Sequence, residues 1–299
     1  MSAVSRPAPR AQARPVNVRR VVNLGLRYAL LVVILLFAVY PFLWTLAIAV
    51  TDKTAGGSIY NFPASLFPRH VTLFNFADVY QKFSLGKYIW NSIVITGMTV
   101  IGTLLVSALA AYPLARFRFP GRNLIFGVII TTLVLPSETS FIVNLLTLQH
   151  LGLRSPDLPG IVVQLGTVLP TIAGAFGIFL MRQAFLAVPA SLLEAARLDG
   201  AGELTILTRV MLPLTRPSLV ALGIFTLVNT WNAYFWPSVA LSGHDDLLPL
   251  SVGILKLKGQ FNYDPFNIAA GALFMMIPVL LIFLAAQRLF MRGLDGAVK

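Results

Sequence analysis

Tyr88-Ile-Trp-Asn-Ser-Ile-Val-Ile-Thr-Gly-Met-Thr-Val-Ile-Gly-Thr-Leu-Leu-Val-Ser-Ala-Leu-Ala-Ala-Tyr-Pro-Leu-Ala115 runs without a single Asp, Glu, Lys or Arg. A helix crossing the ~30 Å hydrocarbon core of a bilayer needs roughly 20 apolar residues, and this stretch is longer than that. Residues 28–50, 158–181, 217–243 and 265–287 are equally free of charge, and 123–148 is interrupted only by Glu138. The runs are continuously apolar and do not alternate over about ten residues, which predicts helices and not barrel strands. The expected fold is an all-α integral membrane protein with about six transmembrane helices at these positions.

Composition agrees. Hydrophobic residues make up 57% of the chain and charged residues 11%, whereas soluble chains carry about 25% charged residues. The net charge of +12 would suit nucleic acid if the basic residues gathered on one polar face. Instead the Lys and Arg lie almost entirely in short segments between apolar runs, so nucleic acid is not an expected partner. With both ends on one side, that side holds 16 of the 23 basic residues and the other side 7. The basic excess marks the cytoplasmic face, so both termini are expected there, in a multi-pass cytoplasmic (inner) membrane protein. The first apolar run follows Arg6, Arg10, Arg14, Arg19, Arg20 and Arg27 and is longer than the 7–15 residues of a signal h-region, so it is expected to stay as an anchor. Residues 1–20 are expected to form a disordered basic tail, and 21–299 the transmembrane domain.

No cysteine is present, which excludes disulfides and thiolate metal sites. His70, His150 and His244 are far apart in predicted loops and do not suggest a metal site. Small residues such as Ala108, Ala111, Gly166 and Gly177 allow helices to pack closely. Pro41, Pro113, Pro136, Pro170 and Pro278 each remove a helical donor and can kink a span.

The segment between the fourth and fifth runs has its own signals. Ser191 and Glu194 have capping-box spacing, predicting a short helix through Leu198. Asp199-Gly200 is a turn dipeptide, and Gly200 tolerates positive φ. A second helix, roughly 202–211, is expected to turn Leu204, Ile206, Leu207, Val210 and Met211 toward the membrane before Pro213 and Pro217 break it. The exposed tip then carries Glu194, Ala195, Ala196, Asp199 and Gly200. Small side chains there suit close approach by another protein; an interfacial helix with an ordinary turn is the competing reading.

The run Glu194-Ala195-Ala196-x-x-Asp199-Gly200-Ala201, followed by Leu212-Pro213-Leu214-x-x-Pro217, resembles the EAA loop of binding-protein-dependent ABC importer permeases. Asn91-Ser92, Leu151-Gly152-Leu153, Phe179-Leu180-Met181-Arg182-Gln183, Trp231-Asn232, Gln287-Arg288 and Gly293-Leu294 are similar to the carbohydrate branch, closest to the maltose-type second permease. Asp295 departs from the small polar residue usual there. The resemblance implies a type I importer permease with a cytoplasmic coupling helix-turn-helix. Its implied partners are a second permease subunit, two ATPase subunits, an extracytoplasmic solute-binding protein, a sugar substrate and membrane lipid. Glu194, Ala195, Ala196, Leu198, Asp199 and Gly200 would dock the ATPase, with Glu194 facing a basic residue and Gly200 setting the angle between the two short helices. No cofactor is implied in this chain; ATP and Mg would be bound by the ATPase partners. No G-x-x-x-x-G-K-[ST], H-E-x-x-H or G-x-S-x-G pattern occurs, so the chain offers no enzyme signature.

Polar residues inside the runs are the candidates for a solute pathway: Glu138, Gln164, Asn229, Asn232 and Tyr234. Trp231 and Trp236 are candidates for stacking on a sugar ring, and Trp236 also for an interfacial anchor. Residues 51–87 and 244–264 are the outer segments long enough to meet a binding protein. A self-contained secondary carrier or channel is the alternative in another class, expected to show paired broken helices and ion-coupling residues. A membrane scaffold would not need the Glu-Ala-Ala loop, and permeases for amino acids or other non-sugar solutes are rivals within the class.

Overall fold

The computed structural model describes residues 18–54, 64–82, 84–135, 137–260 and 264–295. Most of the expected disordered tail lies outside these residues; the helix that follows begins at Val18, so the boundary expected at residue 20 falls inside it.

Thirteen helices organise the description. α1 (Val18–Val50) and α3 (Leu85–Arg116) flank a short α2 (Phe74–Lys82). α4 (Arg122–Thr131), α5 (Phe141–His150), α6 (Gly160–Val168) and α7 (Ala175–Ala187) follow. α8 (Ala190–Leu198) and α9 (Glu203–Leu214) precede α10 (Arg216–Asn232). α11 (Phe235–Ala240), α12 (Leu250–Gln260) and α13 (Pro265–Asp295) complete the chain. Among the described residues the extended pairing is an isolated antiparallel bridge between Thr51 and Val71.

α1, α3 and α13 are long and apolar enough to cross a bilayer unbroken, and Pro41, Pro113 and Pro278 are accommodated inside them. The other three expected spans are not single helices. The third divides into α4 and α5 around a 3₁₀ turn at Ser137–Ser140, after Pro136. The fourth bends by 63° between Gly160–Thr171 and α7, where Pro170 sits in a 3₁₀ turn and Gly174 caps the next helix. The fifth stops at Asn232 and resumes at Phe235. Pro237 explains that gap: its ring collides with the carbonyl four residues earlier, that of Ala233, and offers it no N–H. Ser251 Oγ donates to the freed carbonyl at 2.6 Å.

Packing follows the small residues. α3 lies against α7, where a Cβ on Gly177 would fall 2.2 Å from Ser107 Oγ, so any larger residue would force Ser107 to shift. Three buried clusters result. One joins the C-terminal ends of α3 and α7 to α8 and α9. The second gathers α1, α2, α12 and α13 around Trp231. The third packs Ile95 of α3 on Val163 and Val168 of α6 and on Leu241, Leu248 and Val252.

Polar contacts register the end of the bundle opposite α8. Asn91 Nδ2 donates to the carbonyls of Asp246 and Leu248 at 2.9 and 3.0 Å, and Ser92 Oγ accepts from the Leu250 amide at 2.7 Å. Residues 246–250 are thus pinned to α3 and lead into α12. In the other outer segment, Asp78 of α2 is buried yet charged. Burial by itself would raise its pKa. Hydrogen bonds from Lys82 and Asn267, with the positive charges of Lys82 and Lys53, outweigh that and hold it below its ordinary 3.8. Lys82 Nζ lies 2.7 Å from Asp78, and Lys53 Nζ 2.9 Å from Asp264. α2, the end of α1 and the start of α13 are tied together by these groups.

A carboxylate whose pKa is lowered on folding stabilises the fold above its unfolded value near 3.9, and that contribution is lost as pH falls through the folded value. Asp78→Asn should therefore cost ~1–2 kcal/mol at pH 7, a low figure because Lys82 is largely solvent-exposed. Thermal unfolding of the purified protein should show wild type losing stability below about pH 4, with a smaller acid-induced loss in the variant.

Candidate functional site

Pro189 starts α8 directly. Its dihedrals (φ −57°, ψ 135°) set the entry, so the helix begins at Ala190 and Ser191 already lies inside it. The expected capping box does not form, and no side chain caps this end. The other end is a Schellman closure: the Ala201 amide donates to the Ala196 carbonyl and the Gly200 amide to that of Arg197, both at 3.0 Å. Gly200 sits at φ +81°, a conformation that costs an L-residue about 1–2 kcal/mol. A Cβ there would meet nothing within 4 Å; glycine is required by the backbone and leaves open space outside.

α9 contains a π turn at Ile206–Met211, a feature that often marks functional sites. The wider turn places Ile206, Leu207 and Met211 on one buried side, against Leu193, Tyr112, Met181 and Phe185. These side chains enter the protein core, a different destination from the expected membrane surface, and Leu204 is 69% exposed. α9 meets α10 at 80°, at Thr215 just before Pro217.

Five polar side chains fix this platform to the bundle. Glu203 accepts from Tyr112 Oη of α3 at 2.5 Å and from Arg197 Nε of α8 at 3.1 Å. Arg116, the last residue of α3, donates to the carbonyls of Phe185 and Val188 at the end of α7. Arg182 donates to the Leu114 carbonyl at 3.0 Å and lies 4.0 Å from the centre of the Phe126 ring. None of these clasps follows from the spacing of the loop. Glu203 in particular was identifiable only as an acid in the first turn of a helix.

Above the platform, Glu194, Ala195, Leu198, Asp199 and Gly200 are exposed. Leu198 is 89% exposed, a large apolar side chain on a rigid base. Ala196 differs from expectation: it is half-buried and packs against the core beneath, so its small size serves α8 seating on α9.

The polar residues of the spans separate into two groups. Asn229 and Tyr234 line a cavity of about 570 Å³ with Phe141, Asn144, Thr171 and Trp236. A smaller cavity of about 290 Å³, lined by Thr99, Thr103, Thr167 and Thr226 among others, shares Thr171, Asn229 and Trp236 with it. The breaks in the third, fourth and fifth spans meet at this place, and no charged residue lines either cavity among the described residues. Gln164 and Asn232 are not brought there. Gln164 is buried and donates to Asn91 Oδ1 at 3.1 Å, while Asn232 bonds the Val228 carbonyl of its own helix at 2.8 Å. Glu138 lies in the 3₁₀ turn Ser137–Ser140; its side chain is outside the described residues. Trp231 is not free to stack, being 4% exposed with its indole donating to the Met275 carbonyl. Trp236 likewise donates to the Thr167 carbonyl at 2.8 Å. Asn144, which the sequence expectations do not include, is a polar residue within an apolar run and joins the lining. Among the described residues, no group of three or more His, Asp or Glu side chains converges as a metal site would require.

Comparison with known proteins places these features in a family context. Residues 103–296 match the family described as binding-protein-dependent transport system inner membrane component. The chain is 33% identical to the diacetylchitobiose uptake system permease protein NgcG of Streptomyces coelicolor, covering 88% of this chain and 85% of that one. It is 34% identical to the arabinooligosaccharides transport system permease protein AraQ of Bacillus subtilis, over 78% and 79% of the two chains. With the sn-glycerol-3-phosphate transport system permease protein UgpE of Yersinia enterocolitica it shares 30% identity over 91% and 96%. A chain of a bacterial ABC transporter involved in the import of the acidic polysaccharide alginate superposes with a TM-score of 0.76 at 26% identity, covering 93% of this chain and 98% of that one.

If Glu203 ties α8, α9 and α3 together, Tyr112→Phe should remove one hydrogen bond worth about 1–2 kcal/mol, since its acceptor is charged. Amide hydrogen exchange across residues 190–214 should speed up several-fold, with exchange in α13 unchanged. Unaltered exchange in α8 and α9 would show the contact to be dispensable.

Proposed function

The chain belongs to the family of binding-protein-dependent transport system inner membrane components, and on that premise we propose that it is the permease subunit of an ATP-driven sugar importer of the cytoplasmic membrane. The observation that carries the reading is the exposed α8 tip, with Leu198 and Gly200 raised on a base clasped to α3 and α7. A tip built this way is suited to sit in a cleft of an ATPase subunit. Glu194 and Asp199 offer charge to basic residues there, Ala195 allows close backbone approach, and Leu198 supplies apolar contact. The basic bias of the α8 side supports its cytoplasmic placement.

Coupling follows from the clasps. Closure of two ATPase partners, which bind ATP and Mg, displaces α8. Because Arg116 and Arg182 join the ends of α3 and α7 to each other and to the start of α8, the displacement passes into those helices as a unit and not as a bending loop. α7 starts at the 63° break beside the two cavities, so motion of its inner end opens or closes the space around Asn229 and Tyr234. A second permease completes the pathway, and an extracytoplasmic solute-binding protein delivers the solute to the outer end formed by α2 and α12. The chain itself is non-catalytic.

Two substrate readings follow from the relatives. Those named for diacetylchitobiose and arabino-oligosaccharides suggest a neutral saccharide, and the one named for sn-glycerol-3-phosphate a phosphorylated polyol. The lining of the cavities favours the neutral saccharide. Asn144, Tyr234 and the Oδ1 of Asn229, whose Nδ2 donates to the Phe225 carbonyl at 2.7 Å, can exchange hydrogen bonds with hydroxyls. Phe141 and Phe235 form an edge-on aromatic pair at 5.2 Å, and among the described residues no cation lines either cavity to meet a phosphate. Asn229 and Tyr234 are the pathway residues we retain, joined by Asn144. Glu138 is a further candidate at the neighbouring helix break.

Gly200→Val should lower solute uptake by proteoliposomes containing the complete transporter by tenfold or more, because backbone strain and a branched side chain both disturb the tip, while the chain still inserts and assembles with its partner permease. Leu198→Asp should reduce co-purification of the ATPase. Wild-type uptake by Gly200→Val with wild-type ATPase retention by Leu198→Asp would defeat the assignment.

A further inference from the structure

Next to the coupling tip lies a third cavity, of about 530 Å³, whose chemistry is unlike that of the pathway. Its walls carry Arg116, Arg118, Arg122 and Arg197, with Glu194 as the acid among them. The four arginines come from three places in the fold: the end of α3, the turn into α4, and the last turn of α8. Glu203, the other nearby acid, is already shared between Arg197 and Tyr112. Positive charge at this spot is therefore undercompensated. Arg116 Nε is buried and has no hydrogen-bond partner. Arg118 is exposed and points no donor at a partner among the described residues, while Arg122 spends one nitrogen on the Phe117 carbonyl at 3.1 Å.

We propose that this cavity binds the phosphate of an anionic phospholipid head group. Guanidinium forks match phosphate oxygens in pairs, so several arginines around one cavity form a site of that chemistry. Basic pockets between helices on the cytoplasmic side are places where anionic head groups bind. What separates a lipid from free phosphate is the surface that continues from the cavity. α4 starts at Arg122 and exposes Leu124 at 72%, Ile125 at 47% and Val128 at 60%. Charge followed along one helix by an exposed apolar strip fits a molecule with a phosphate at one end and acyl chains at the other. The occupant would share its wall with Glu194, so the lipid lies beside the tip and biases how α8 is held.

The test uses the purified full chain in detergent, examined by native mass spectrometry with dioleoyl phosphatidylglycerol, dioleoyl phosphatidylcholine or inorganic phosphate alone. Phosphatidylglycerol adducts should exceed phosphatidylcholine adducts and fall roughly fivefold for each arginine removed in Arg118→Gln and in the Arg118→Gln/Arg122→Gln pair. Arg209→Gln/Arg216→Gln, which keeps the same net charge as that pair on the same face, should leave them unchanged. Arg116 is left intact because it holds the end of α7, and Arg118→Gln breaks no bond of the fold. Equal retention of the two lipids, or equal loss in the Arg209/Arg216 pair, would overturn the site. Saturation by inorganic phosphate with no preference for the lipid would make it a free-anion site and overturn the lipid assignment. So would wild-type lipid adducts in Arg118→Gln accompanied by loss of the ATPase from the assembled complex, which would give the arginines to a protein partner.

Discussion

Away from water, every backbone carbonyl released by a helix end or a break has to find a donor inside the protein. This chain breaks its apolar segments repeatedly, and side chains that carry N–H groups meet the freed carbonyls. Arg116 covers the end of α7, Arg182 the end of α3, and Arg154 the carbonyls of Ala240 and Ser242 after α11. Trp236 serves Thr167 near the end of α6, and Asn91 serves the 246–248 turn. The same bonds that satisfy the backbone also decide which helices move together.

That coincidence explains the rigidity of the coupling platform. α8 has only nine residues, too few to be stable alone in water. It persists because Leu193 and Ala196 sit on the π turn of α9, and because Glu203 and Arg116 hold both short helices to longer ones. The exposed side of α8 is then left to a partner, and a leucine that would otherwise be out of place in water has a use there. The undercompensated arginines beside it belong to the same interface level, where polar head groups and protein loops meet.

Much of this was legible in the residues. Runs with at most one charge located the six apolar segments, because the cost of a charge in lipid leaves few ways to write such a sequence. Asp199-Gly200 announced the positive φ between α8 and α9. The continuity of the spans was harder to read. Proline alone does not say whether a helix will absorb it, as at Pro41, Pro113 and Pro278, or yield. At Pro237 the effect on the carbonyl at 233 is calculable from the residues, but the donor that replaces the lost N–H, Ser251, is not. The fate of polar residues was harder still, since Gln164 and Trp231 looked like pathway groups and are spent on packing. Their partners, Asn91 and Met275, are 73 and 44 residues away, and no local spacing points to them.

The separation between Arg116 and its acceptors has a bearing on biosynthesis. Phe185 and Val188 lie 69 and 72 residues downstream, so when α3 leaves the ribosome neither native acceptor of its terminal guanidinium has yet been made. During that interval the arginine is available to lipid head groups, as a cation that keeps its end of α3 from crossing. Once α7 has been inserted, the residue changes occupation from topological marker to structural clamp. One side chain thus acts twice, in an order imposed by translation.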